Sequence, residues 1–244
     1  MIYGANGYTG RMVVEEALRR GLRPVLAGRN AAALEPLAQK HGLPVRAFTL
    51  DNPVALRTGP NGIGLVLHCA GPFSATSAPM LDACLDVGAH YLDITGEIDV
   101  FAHCHAQDLR ARNAGIVVLP GSGFDVVPTD CLAAMLKREL PTATSLVLAF
   151  EAGGGPSPGT ALTSVEGLGK GGRARVGGVV TRVPLAWKTR TFERDGDARF
   201  AMTIPWGDVF TAFESTGIPD IEVYMAVPPA TADCRRSASR CVTR

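Results

Sequence analysis

The chain reads as an α/β protein, a doubly wound parallel sheet followed by a second, mixed α/β domain. Three observations predict this. A short apolar strand runs into three glycines spaced three apart, Gly4, Gly7 and Gly10, then into a helical pattern and a second apolar strand ending at Gly28. From there to residue 139 strand-length apolar runs alternate with helical patterns, six strands in all, the order that builds a parallel sheet. Beyond Pro141 the texture turns to β-rich stretches broken by glycine and proline. The expected division is a first domain over 1–130, a second over 131–230, and a tail at 231–244.

The opening strand, glycine loop, helix and strand have the order of a dinucleotide-binding unit of Rossmann type. Gly4 would permit the tight turn, Gly7 would let the backbone approach a pyrophosphate, and Gly10 would seat the helix close to the sheet. Ala5, Asn6, Tyr8 and Thr9 complete the loop, whose free N–H groups at the helix N-terminus favour phosphate. At the end of the second strand a carboxylate would take a ribose 2′-hydroxyl, whereas a guanidinium would pair with a 2′-phosphate. The chain has Arg29 beside Gly28 and Asn30, with no carboxylate before Glu35, so the expected cofactor is NADP.

Composition narrows the classes. At 244 residues, with 46% hydrophobic and 19% charged residues, the chain can bury a sizeable core and is not disordered. A net charge of +1 gives no broad field for nucleic acid. The six cysteines include no C-x-x-C pair, which argues for a reducing compartment and against zinc or a disulfide framework. No apolar run reaches the roughly 20 residues of a membrane span, and no leader precedes the first strand, so a cytoplasmic protein is expected.

In order, residues 8–20 form an amphipathic helix stopped by Gly21, and Asn30 caps a helix reaching Lys40. Pro36 should kink that helix or delay its start to about Glu35. A third strand over 45–48 leads to Asp51, either a polar contact to the adenine or a helix cap. The strand within 64–73 ends in Ala70-Gly71-Pro72, expected beside the nicotinamide ribose; Cys69 in it reads as core. A helix over 77–86 and a strand over 89–95 follow, placing Asp93 and Glu97 where substrate or nicotinamide would lie. A helix over 99–113 holds His103, Cys104 and His105, whose spacing points them to different sides and argues against a metal. A strand over 116–119 leads through Asp125 to a helix ending at Glu139. Then come a strand over 145–152, a glycine-rich loop, a helix over 160–168, and strands over 190–192, 200–204 and 221–227, with a turn at Asp195-Gly196-Asp197.

These residues resemble the saccharopine dehydrogenase-like NADP oxidoreductases, especially the bacterial group that includes trans-acting enoyl reductases. The resemblance rests on the stretch from Tyr3 to Arg11, Ala27-Gly28-Arg29, Ala70-Gly71-Pro72-Phe73, the stretch from Tyr91 to Glu97, that from Gly121 to Asp130, and Pro205-Trp206-Gly207-Asp208. It implies a Rossmann domain joined to a substrate domain, NADP, and hydride transfer to a C=N, C=O or C=C bond. It also leads one to expect a longer first strand and C-terminal helices that pack back on the first domain. Residues 231–244, with four arginines and no apolar periodicity, read as a disordered tail on a truncated chain.

For catalysis the candidates by position are Glu97, Asp125 and Thr160, with Asp125 equally readable as the cap of its helix. Gly159-Thr160 would close the substrate side. The Tyr-x-x-x-Lys pair of short-chain dehydrogenases is absent, since none of Tyr3, Tyr8, Tyr91 and Tyr224 has lysine four residues on. Two readings remain open: an oxidoreductase acting on a small-molecule or acyl substrate, and a non-catalytic NADP-binding sensor, scaffold or inactive copy. An open β surface in the second domain would suit a homodimer.

Overall fold

A computed structural model describes residues 1–153, 169 and 171–228. The chain divides into two compact units, Met1–Phe124 and Asp125–Arg244.

The first unit is a six-stranded sheet. Its strands are β1 (Ile2–Tyr3), β2 (Leu26–Gly28), β3 (Val45–Ala47), β4 (Leu65–His68), β5 (His90–Asp93) and β6 (Val118–Leu119). They lie in the order β3-β2-β1-β4-β5-β6, and every pairing is parallel. Six helices connect them: α1 (Tyr8–Arg19), α2 (Ala31–His41), α3 (Pro53–Thr58), α4 (Phe73–Val87), α5 (Ile98–His105) and α6 (Asp108–Ala114). The period of two along a strand sorts the core into two layers. Ile2 and Leu26 pack with Val14, Leu34 and Ala38 of α1 and α2. Their neighbours Tyr3 and Ala27 face the other way, onto Met80, Leu81, Val100 and Ala111 of α4, α5 and α6. Each fully buried leucine contributes about 1.5–3 kcal/mol, so both layers anchor the short β1 between them.

Several elements differ from the sequence expectation. The helix α2 runs unbroken through Pro36, because the Asn30 side chain accepts from Ala33 N at 3.3 Å and Gly42 ends it in the left-handed region. The bond Pro36 cannot make would have gone to the carbonyl of Ala32, an exposed residue that water can satisfy. The helix α4 begins at Phe73, not near Ser77, since Glu97 satisfies its first N–H groups. The single helix expected over 99–113 is two, α5 and α6, separated at Ala106 and Gln107. The short α3 was not anticipated. Its signals are local nonetheless: Asn52 accepts from Val54 N and Ala55 N, and Pro53 opens the first turn.

The second unit has the helices α7 (Val127–Glu139) and α8 (Asp208–Thr216) and the strands β7 (Ser145–Phe150), β8 (Gly172–Val176), β9 (Val179–Val183), β10 (Thr189–Arg194), β11 (Asp197–Thr203) and β12 (Asp220–Ala226). The strand β12 is central: it runs parallel to β7 and antiparallel to β8 and β11. Two hairpins extend the sheet, one turning at Gly177-Gly178 and one at Asp195-Gly196, all four residues having positive φ. The helix α8 packs on β12, β8 and α7. It too was unread, its apolar spacing hidden among strand-like neighbours. The helix expected over 160–168, with Thr160 and the loop before it, and the tail at 231–244 lie outside the described residues. No described helix is long and apolar enough to cross a membrane.

Candidate functional site

At the carboxyl end of β1, Gly4 adopts φ +84°, and the N–H groups of Gly4 and Ala5 both reach the Ala27 carbonyl, at 2.8 and 3.2 Å. The loop closes on itself through Gly7 N and Gly4 O at 3.0 Å. The helix α1 then begins with no side-chain cap and no acid in its first turn. Its first N–H groups, on Tyr8, Thr9 and Gly10, therefore lack intrahelical acceptors. The space is set by absent side chains. A Cβ on Gly10 would lie 2.1 Å from Gly4 O, and one on Gly4 would lie 2.9 Å from Ala70 N. Gly7 is exposed, and a Cβ there would come within 3.2 Å of Gly4 O. These donors open between β1 and β4, where the strand order reverses, and they fit a pyrophosphate.

Gly28 is buried, and a Cβ on it would touch Asn6 Oδ1 at 3.4 Å. Arg29 is exposed and makes no hydrogen bond or ion pair among the described residues, which leaves its guanidinium available to a 2′-phosphate. Asn30 commits its side-chain oxygen to capping α2. Asp51 is exposed beyond β3 and is not the cap of the next helix; that role belongs to Asn52, whose shorter reach to Val54 N and Ala55 N sets the start of α3.

The loop Ala70-Gly71-Pro72 after β4 approaches Gly4 and is held from two sides, with a cis peptide before Pro72. The Glu97 carboxylate accepts from Phe73 N at 2.8 Å and from Ser74 N at 3.0 Å, so it caps α4 and complements the helix dipole. Sequence position suggested a substrate contact for Glu97; the structure spends both its oxygens on the backbone. The Thr76 hydroxyl lies 2.7 Å from Ala70 O and 3.0 Å from Pro72 O, and its single proton goes to these carbonyls. His68 Nε2, 3.0 Å from the same oxygen, must then carry the ring proton and donate it. Burial depresses the His68 pKa to about 3, so the ring is neutral. Burial, with the Asp93 charge adding to it, pushes the Cys69 thiol up to about 12 and leaves it inert.

Asp93 is enclosed and cannot meet a ligand. It accepts from Tyr91 Oη at 2.7 Å, Thr95 N at 3.0 Å and Gly121 N at 2.8 Å, while its carbonyl accepts from Ser122 N and Oγ, both at 2.7 Å. Burial raises its pKa and these hydrogen bonds oppose the rise. The residue ties the end of β5 to the loop after β6.

In the second unit Asp125 is not a helix cap. The helix α7 starts at Val127 behind Val126, which makes no side-chain cap bond, and Asp125 is held instead through its carbonyl, 2.6 Å from Trp206 Nε1. Burial raises the pKa of its carboxyl. Asp208, which sequence reasoning missed as a site residue, is fully buried in the first turn of α8, and neither of its oxygens meets a donor in good geometry. Its pKa is lifted to about 6, by burial first and by the Asp130 and Asp125 charges, with the nearby Thr129 hydroxyl pulling the other way. That hydroxyl gives its proton to Val126 O.

A doubly wound sheet with an uncapped phosphate loop at its switch point and an unpaired arginine after β2 defines a dinucleotide-binding domain suited to NADP. Residues 1–119 match the family described as the saccharopine dehydrogenase NADP binding domain. The first unit is similar to that family over nearly its whole length, and its cofactor is NADP. The saccharopine dehydrogenase-like oxidoreductase of Mus musculus is 29% identical over 170 residues, 62% of this chain and 40% of the relative. The trans-acting enoyl reductase of Mycobacterium tuberculosis is 29% identical over 152 residues, 57% of this chain and 35% of the relative. The chain thus spans less than half the length of these curated relatives. Apo saccharopine dehydrogenase (L-Glu forming) from Saccharomyces cerevisiae shares the fold, with a TM-score of 0.69 at 15% identity over 95% of this chain and 55% of that one. The relatives are oxidoreductases of saccharopine dehydrogenase type, in agreement with the resemblance read from the motifs.

Proposed function

We propose that the chain is an NADP-dependent oxidoreductase that transfers hydride to a C=N, C=O or C=C bond, with residues 1–130 holding the nucleotide and 131–230 serving the substrate. The observation that carries this reading is the uncapped first turn of α1 facing the β4 side of the sheet, with Arg29 exposed beside it. NADPH, when bound, supplies the hydride. The chain's own residues orient it. Glu97, Thr76 and neutral His68 hold the Ala70–Pro72 loop rigid, so the nicotinamide end meets a fixed wall. We assign the accompanying proton to Asp125, whose raised pKa keeps a proton available nearer neutrality than an ordinary aspartate would.

Oxidation of NADPH by the purified chain, followed by its absorbance against panels of imines, ketones and enoyl thioesters, tests the reading. Turnover is expected with one class, and Asp125→Asn should lower kcat by about a hundredfold or more while NADPH affinity stays. Tight NADPH binding with no oxidation across all three panels would instead favour a non-catalytic sensor or inactive copy.

A further inference from the structure

Arg11 is the fourth residue of α1, directly after Gly10. The N-terminal end of a helix carries positive partial charge, so a cation there is disfavoured by about 0.3–1 kcal/mol unless an anion is present. Neither the first turn of α1 nor a capping side chain supplies one. Most other arginines in or at the end of this unit's helices have carboxylates: Arg19 and Arg20 pair with Glu16, Arg110 with Asp82, and Arg112 with Asp108, whereas Arg57 sits in the last turn of α3, where a cation is favoured without one. Arg11 pairs with none among the described residues, although it is exposed and Glu15 follows one turn later. Its Nε donates instead to the Asn6 carbonyl at 3.0 Å. That bond folds the side chain back along the phosphate loop and leaves both terminal nitrogens unspent.

We propose that Arg11 is a pyrophosphate clamp: its guanidinium pairs with the bridging diphosphate of the nucleotide, while Arg29 recognises the 2′-phosphate. The assignment rests on the nucleotide reading of the Gly4–Gly10 loop. The planar fork of arginine suits two phosphate oxygens at once, and the Asn6 carbonyl pre-orients it at the cost of a single N–H. An anion at this point resolves two unfavourable charges together, the arginine at a positive helix end and the diphosphate itself.

The test is a fluorescence titration of NADPH and NADH on the full chain, comparing the parent with Arg11→Gln, Arg11→Lys and Arg29→Gln. Arg11→Gln should weaken both nucleotides by the same factor, about tenfold to a hundredfold. Arg11→Lys, which keeps the charge and loses the fork, should fall between it and the parent. Arg29→Gln should weaken NADPH alone. Without nucleotide, Arg11→Gln should melt no lower than the parent, because it removes a cation from the wrong end of α1. Parent-like affinity for both nucleotides in Arg11→Gln would overturn the proposal. So would a loss confined to NADPH, which would move Arg11 to the 2′-phosphate. A parent that binds neither nucleotide would bring down the NADP reading itself, and the clamp with it.

Discussion

Arg29 stands exposed after β2 with no hydrogen bond or ion pair among the described residues, and in the function proposed above its charge sets cofactor choice. Replacing it by Glu should cost NADPH roughly 1.5–3 kcal/mol of binding and shift preference toward NADH. Isothermal titration of both nucleotides checks this, and equal affinities in the parent would contradict it. Asp208 makes a different prediction, about stability. Its folded pKa, about 6, lies above the ordinary 3.8, so the folded state holds the proton more tightly than the unfolded chain. The associated stability is complete below about pH 4 and is lost as pH rises through 6. Asp208→Asn, neutral at every pH and similar in size, should therefore be more stable than the parent at pH 7.5, by at most about 3 kcal/mol, and should flatten the profile between pH 4 and 7. Urea unfolding at pH 4.5 and 7.5 measures the difference. The turn and close packing at Gly4, Gly7 and Gly10 were legible because each acts through its own neighbours in sequence. Glu97 and Asp93 were not, since what fixes them lies 24 and 28 residues away, at Phe73 and Gly121.

The helix α1 is placed by what Gly10 lacks. Alanine in a helix normally gains about 1 kcal/mol over glycine. Here the added carbon would meet Gly4 O at 2.1 Å, a backbone atom that cannot swing aside. The clash wins, and Gly10→Ala should destabilise the fold by about 1–3 kcal/mol and weaken NADPH binding as α1 is pushed off the loop. Thermal melts with and without NADPH separate the two effects; an unchanged melting point would show that α1 is not seated as described. Helix boundaries were the least legible level. Pro36 and Pro79 look like breakers, yet α2 and α4 contain them because the freed carbonyls belong to exposed residues, Ala32 and Ala75. Position in sequence cannot show which side of a helix faces water until the sheet beneath it is known.

The two units each have their own sheet, and NADP belongs to the first. Ligand binding stabilises only the unit that binds, by about 2.7 kcal/mol at a hundred times Kd. Calorimetry of the whole chain should accordingly resolve a transition that NADPH raises and another that it leaves in place. A single transition moving as one would mean that the units unfold together. The parallel order of the first sheet was readable because βαβ repetition permits few alternatives. The second sheet was not, because its pairing is decided by β12, which meets β7 from before a long excursion of the chain and β8 and β11 from within it.

That excursion has a consequence during synthesis. A ribosome adds about 5–20 residues each second, and roughly 70 residues separate β7 from the central β12, so β7 waits about 4–14 s for β12, its partner among the described strands. The first sheet is complete once β6 emerges at Leu119, and it can close in that interval. The nascent second half meanwhile carries the hairpins β8–β9 and β10–β11 without the strand that joins them. Chaperones that shield unpaired strand edges should engage this chain while residues 151–219 are being added, when its nucleotide pocket is already formed.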